Sequence, residues 1–291
     1  SGTEWGMYLS FDDGSSWKPF QLNLPITAIR DLHVKENDLI VATHGRAFWI
    51  IDDLTPLHQL SKNLNSKSSH LYKPDISYRM QSGWNGSGSL LNGENHPNGV
   101  IINYFIKDLK DNDFVKIEIL DEKKGIIRSY TNNKDKLLSS SVKPVSSNSN
   151  DIDYALSGNN IKSLKPKSGG NRLVWDMRYP GFKTFKGMVF YSSPNVGPKV
   201  IPGKYNLRLT YNEEVTDQEF EVIKDPRLNN TQEDFEKQLD FLLNVRDEVS
   251  KANQAIIDIR NTRKDLDYIL NKSNNNSDIN SLIDKFLNEL S

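Results

Sequence analysis

The cleanest period-two pattern in the chain places Tyr205, Leu207, Leu209 and Tyr211 on one face and Lys204, Asn206, Arg208 and Thr210 on the other. Successive side chains of an extended backbone point to opposite sides, so this alternation predicts a half-buried strand over 203–211. A turn at Asn212-Glu213-Glu214 and a second strand over 215–222 make it a hairpin. Runs of β-branched and aromatic residues predict further strands at 100–106, 114–120, 126–130 and 171–177, with a turn over 121–125. The stretch 132–167 is rich in Ser and Asn and has little periodicity, so it reads as a long loop or a short helical insertion. About seven short strands over 99–225 predict a β-sandwich of the immunoglobulin or fibronectin kind.

The N-terminal 60 residues carry shorter strand signals at 29–34, 38–43 and 47–51, separated by Glu36-Asn37 and by His44-Gly45-Arg46. Upstream lies Ser10-Phe11-Asp12-Asp13-Gly14-Ser15-Ser16-Trp17, an S-x-D-x-G-x-[ST]-W string called an Asp-box. In such a turn Asp12 accepts backbone N–H groups, Gly14 takes a positive φ, Ser16 adds a hydroxyl and Trp17 folds back as an apolar plug. Strand-like residues flank it, so the turn is expected to join two strands of one β-propeller blade. Residues 1–60 therefore predict the end of a propeller: two strands of one blade and three or four of the next. A blade needs neighbours on both faces, so the remainder of the propeller is the first expected partner, lying upstream. Residues 61–98 read as a linker, and the glycine-rich run 82–89 within it offers Trp84 as a ligand platform.

Pro226 closes the last strand, and Thr231 with Asp234 forms a variant capping box. Apolar residues then recur at Phe235, Leu239, Leu242, Val249, Ala252, Ile256, Ile259, Leu266 and Ile269. These spacings of three and four predict a coiled-coil-like seam along a helix roughly 60 Å long. Asn271 to Ser277 breaks it, and Ile279, Leu282, Ile283, Phe286, Leu287 and Leu290 predict a short second helix. Residues 226–291 are thus expected to form a helical hairpin. One long helix with a short partner leaves apolar surface for a third helix or for a second copy in a helix-mediated oligomer. The fold class is mainly β with a C-terminal α segment.

Charge and composition narrow the functions. The net charge of −1 over 291 residues gives no basic field for nucleic acid. With no cysteine, disulfides and thiolate chemistry are excluded. No apolar run reaches the roughly 18 residues of a membrane span. Five scattered histidines lack the spacing of a transition-metal site. The acidic run Asp108-Leu109-Lys110-Asp111-Asn112-Asp113 lacks the glycine and terminal glutamate of a calcium loop and reads as a hairpin turn. No phosphate loop or nucleophile elbow is present, and no cofactor is expected.

Two strings carry a resemblance: the run from Gly2 to Ser10 leading into the Asp-box, and Ala42-Thr43-His44-Gly45-Arg46-Ala47-Phe48-Trp49-Ile50-Ile51-Asp52-Asp53. Together they resemble the final blades of bacterial propeller proteins with neuraminidase-type repeats and sortilin-like propellers, a group commonly labelled glycosyl hydrolase. Asn171-Arg172-Leu173-Val174-Trp175-Asp176-Met177-Arg178-Tyr179-Pro180 and Pro202-Gly203-Lys204-Tyr205 resemble the sandwich of that family, and Lys224-Asp225-Pro226-Arg227 its tail. The resemblance implies an exported protein (secreted, periplasmic or on the cell surface) whose signal lies upstream.

Enzymatic function has weak candidates. Sialidases use three arginines, a Tyr–Glu pair and an acid/base Asp, and other glycosidases need two carboxyls about 5–10 Å apart. Here Glu4, Asp12, Asp13, Asp52 and Asp53 lie near the propeller end; Asp12 is expected to be consumed by its turn. His44 and Arg46, at the rim, are the ligand-binding candidates, Arg46 to clamp an anion and His44 to exchange protons. Against this, Arg46 can pair with Asp52 or Asp53, and His44 can bond a backbone carbonyl. The aromatics from Trp175 to Tyr191 fit either a carbohydrate platform or a sandwich core. The expected function is a non-catalytic scaffold or binding region that takes a glycan or protein ligand. The alternative is part of a sialidase-like glycoside hydrolase whose catalytic residues lie on upstream blades.

Overall fold

The computed structural model describes residues 1–60, 67–80, 95–133, 161–189, 195–272, 281–283 and 285, which form mainly β structure followed by one long helix. Near the N-terminus β1 (Gly2–Thr3), β2 (Gly6–Leu9) and β3 (Lys18–Pro19) make one three-stranded antiparallel sheet. β4 (Ile29–Lys35), β5 (Asp38–Thr43) and β6 (Phe48–Ile51) make another. Met7, Leu24 and Val41 are buried together, with Phe20, Leu32, Leu39 and Trp49 packed against them. Each sheet is too narrow to enclose a core alone, and the two share this small one. A single helical turn, α1 (Thr55–His58), follows; Asp53 starts it by accepting the Thr55 N–H at 3.0 Å.

The larger core lies between two further sheets. β7 (Ser69–Leu71), β9 (Val100–Ile106) and β13 (Gly169–Trp175) form a three-stranded sheet in the order β13-β9-β7. The other sheet uses β8 (Ser77–Arg79), β10 (Val115–Leu120), β11 (Ile126–Thr131), β12 (Ile161–Ser163), β14 (Gly203–Tyr211) and β15 (Glu214–Lys224). Its order is β12-β11-β10-β14-β15-β8, antiparallel except for parallel pairings at both edges. The alternation that predicted β14 is realised: Tyr205, Leu207, Leu209 and Tyr211 are buried in one cluster with Ile102 and Ile106 of β9, Ile117 and Ile119 of β10, and Trp175 of β13. Each fully buried Leu or Ile stabilises by roughly 1.5–3 kcal/mol.

The stretch 61–98, expected as a linker, contributes two strands. Ser69–Leu71 pairs with β9, and Ser77–Arg79 pairs in parallel with β15. Three-residue strands carry too little alternation to be legible in sequence; the neighbouring strand edges recruit them. Side chains also tie the N-terminal sheets to the larger core. Asn103 Nδ2 donates to Asp53 Oδ2 at 2.9 Å, Asn37 Nδ2 donates to Asp75, and Gln59 exchanges two 2.8 Å bonds with the Lys73 backbone.

The predicted long helix is α2 (Gln232–Lys272), and its capping box forms as expected. Thr231 N and Oγ1 both donate to Asp234 Oδ2 at 2.8 Å, and Asp234 N returns to Thr231 Oγ1 at 3.2 Å. The expected apolar seam is covered only in part. The docked face carries Phe235, Leu239, Ser250 and Asn253, whereas Leu242, Ala252, Ile256, Ile259 and Ile269 are exposed. Polar bonds hold that face: Lys183 N donates to Ser250 Oγ at 3.0 Å, Asn253 Nδ2 donates to Lys183 O at 2.5 Å, and Arg260 Nη1 donates to Lys186 O at 2.9 Å. Arg260 also stacks on Phe185, 4.6 Å from the ring centroid. Of the second predicted helix, 281–283 and 285 are helical, and Ile283 is buried.

Candidate functional site

Residues 10–17 form the turn between β2 and β3. Asp12 Oδ1 accepts from Ser16 N and Ser10 Oγ at 2.8 Å each, and Asp12 Oδ2 accepts from Ser16 Oγ at 2.5 Å. Ser10 Oγ in turn accepts the Gly14 N–H at 2.8 Å. Gly14 has φ +88°, a conformation that suits glycine, and a Cβ added there would lie in contact with the Trp17 indole. Trp17 is half exposed, so it shields the turn on one side only. Asp12 is held by the turn, as its spacing implied.

The turn His44-Gly45-Arg46 joins β5 to β6, with Gly45 at φ +76° and Ala47 at φ +62°. Its hydrogen bonds run through the backbone. His44 N donates to Ala28 O at 2.8 Å, Thr27 Oγ1 donates to His44 O at 3.1 Å, and Trp49 Nε1 donates to Arg46 O at 2.8 Å. Both side chains are exposed, and the expected ion pair of Arg46 with Asp52 or Asp53 is not formed. Asp53 is held instead by Thr55 N and Asn103. Trp84, the third ligand-binding candidate, lies outside the described residues, as do Phe190 and Tyr191 of the aromatic region. Trp175 is a core residue, with Tyr205 and Phe220 edge-on to it at centroid separations of 6.1 and 6.2 Å.

The acidic run before β10 behaves as a turn. Asp113 Oδ2 accepts from Lys110 N at 2.9 Å and from Tyr211 Oη at 2.7 Å, and these bonds, led by Lys110 N, hold its carboxyl below the usual range. Among the described residues no group of three or more His, Asp or Glu side chains is arranged to hold a metal.

Two concave surfaces have chemical character. One is an apolar groove of about 400 Å³ on the N-terminal sheets, lined by Met7, Phe20, Leu32, Val34, Leu39 and Leu54 among others. The other, about 810 Å³, runs beside β13, where α1, the segment after β12 and the face of β9 meet. Its walls include Leu57, Leu60, Leu164 and Leu173, with Lys165, Lys167 and Arg172 at its opening. Leu164 anchors the wall from within the core, and its N–H donates to Thr131 O at 2.8 Å. Asn171 braces the turn that carries the lysines: Lys167 N donates to Asn171 Oδ1 at 2.8 Å, and Asn171 Nδ2 donates to Lys167 O at 2.7 Å. Tyr104, at the base, has its phenol pushed up to about 12 by burial and stays neutral.

Sequence reasoning did not reach this second cleft. Its residues come from positions 56 to 173 and share no linear motif; Lys165-Pro166-Lys167 sat at the end of a stretch read as loop. No protein-family model matches the chain, and no curated protein does.

Proposed function

We propose that this chain is a non-catalytic scaffold and binding region of an exported bacterial protein, with residues 1–60 completing an Asp-box β-propeller. In this reading 99–225 is an immunoglobulin- or fibronectin-like sandwich, and 226–291 a helical hairpin. The observation that carries the reading is the open apolar side of the N-terminal sheets. Met7, Phe20, Leu32 and Leu39 line an uncovered groove, and on the opposite face of the second sheet Phe48 and Ile50 are 76% and 60% exposed. Propeller blades cover such faces with the next blade, and the formed Asp-box supports that partner over an unrelated one.

The carboxylates near the propeller end support binding over hydrolysis, because Asp12 and Asp53 are engaged by turn and backbone groups. The exposed Arg46 and His44 side chains are the rim positions for a glycan or protein ligand, and the open stripe of α2 is the surface for a second copy. No helix among the described residues is long and apolar enough to cross a membrane.

The complete reading frame is the direct test. Further S-x-D-x-G-x-[ST]-W repeats upstream of residue 1 are expected, and a frame without them overturns the propeller assignment. A glycan array probed with the chain and with Arg46→Ala tests the rim: loss of a bound glycan in the variant places the ligand there. Three arginines and a Tyr–Glu pair on the upstream blades of that frame would establish the hydrolase alternative instead.

A further inference from the structure

We infer that the cleft beside β13 is a docking site for an extended acidic peptide of another protein, which adds to the free edge of β13 and sets carboxylates against Lys165, Lys167 and Arg172. The inference stands apart from the propeller reading, because the cleft belongs to the two larger sheets.

β13 is the outer strand of its sheet and pairs only with β9 among the described strands. Backbone N–H and C=O groups on its far side are therefore available to another strand, the arrangement that peptide-binding sheets use. The cleft takes in that edge and extends over β9: Gly170, Asn171, Arg172 and Leu173 line it, with Asn103 and Tyr104 beside them. An extended peptide advances about 3.3 Å per residue, so four residues span roughly 13 Å of the edge.

The charge of the walls selects the peptide. Lys165, Lys167 and Arg172 are all exposed, no carboxylate lines the cleft, and none of the three is ion-paired among the described residues. In a chain of net charge −1, this cluster is local and not compositional. The Asn171 brace fixes the lysine-bearing turn before any ligand arrives, which lowers the ordering cost of binding. Leu57 and Leu173 offer apolar contact for alternate side chains of the peptide. A nucleic-acid strand needs exposed rings for stacking, and the two tyrosines here are 8% and 2% exposed.

Fluorescence anisotropy tests this with a labelled decapeptide of alternating glutamate and valine, its lysine–valine counterpart, and the glutamate peptide N-methylated at alternate residues. Only the unmethylated acidic peptide is expected to bind. The triple variant Lys165→Glu/Lys167→Glu/Arg172→Glu should weaken it by roughly tenfold or more, from three surface charge contacts. Near-ultraviolet circular dichroism confirms that the variant is folded. Equal binding of the methylated peptide overturns strand addition. Binding of a sulfated hexasaccharide or an oligonucleotide in place of the acidic peptide overturns the ligand class. Absence of all binding shows that the cations only guard the edge.

Discussion

His70 sets its ring edge-on to Tyr72, centroids 4.7 Å apart, with Nε2 buried and without a hydrogen-bond partner among the described residues. Burial, and secondarily the charge of Lys67, lowers its pKa below 6.5, so the folded chain refuses a proton that the unfolded chain takes. Stability therefore falls as pH drops below 6.5, and His70→Phe should flatten that slope in urea melts followed from pH 7.5 to 5. Asp225 works through the opposite shift. It accepts from Arg227 Nε at 2.8 Å, Nη2 at 2.6 Å and N at 3.0 Å, which lowers its pKa to about 2. Its contribution is complete above the unfolded carboxyl pKa of 3.8 and is lost as pH falls toward about 2. In Asp225→Asn that acid-limb loss should be absent from urea melts followed from pH 5 down to about 2. The turn over residues 10–17 was legible residue by residue because its side-chain bonds are local. The environment of His70 was not, since His70 lies in a strand whose existence depends on β9, and Tyr72 follows just past its end.

Among the elements, α2 separates local from non-local information. Its start was readable, and Thr231→Ala should cost about 1 kcal/mol in thermal unfolding by removing the cap. Beyond Phe235 and Leu239 its docked face was not readable, because the body meets the rest through Ser250, Asn253 and Arg260, which hydropathy ignores. The apolar stripe left outside includes Phe241 and Val245, 68% and 46% exposed, together with Ile256 and Ile259. A second copy of the helix is the proposed cover, by coiled-coil contact. Light scattering should show a dimer that Val245→Glu/Ile256→Glu converts to a monomer, and a monomeric parent chain at all accessible concentrations would remove the proposal.

At the scale of the whole molecule, one core joins two sheets, and Trp175 stands at its centre with no exposed surface. Trp175→Ala should cost about 3–5 kcal/mol in chemical denaturation, and both sheets should unfold in one transition. A small loss, or two separated transitions, would show that the sheets are independent. The strands with long alternation, above all β14, and the helix with its cap were set by period, turn chemistry and local hydrogen bonds, all of which act within a few residues of sequence. Which strands pair, that β7 and β8 exist, that Lys165, Lys167 and Arg172 share a cleft, and which face of α2 docks were decided only when distant segments met. The reason is physical: those features rest on contacts between residues tens of positions apart, and no local pattern encodes which edges and faces will find one another.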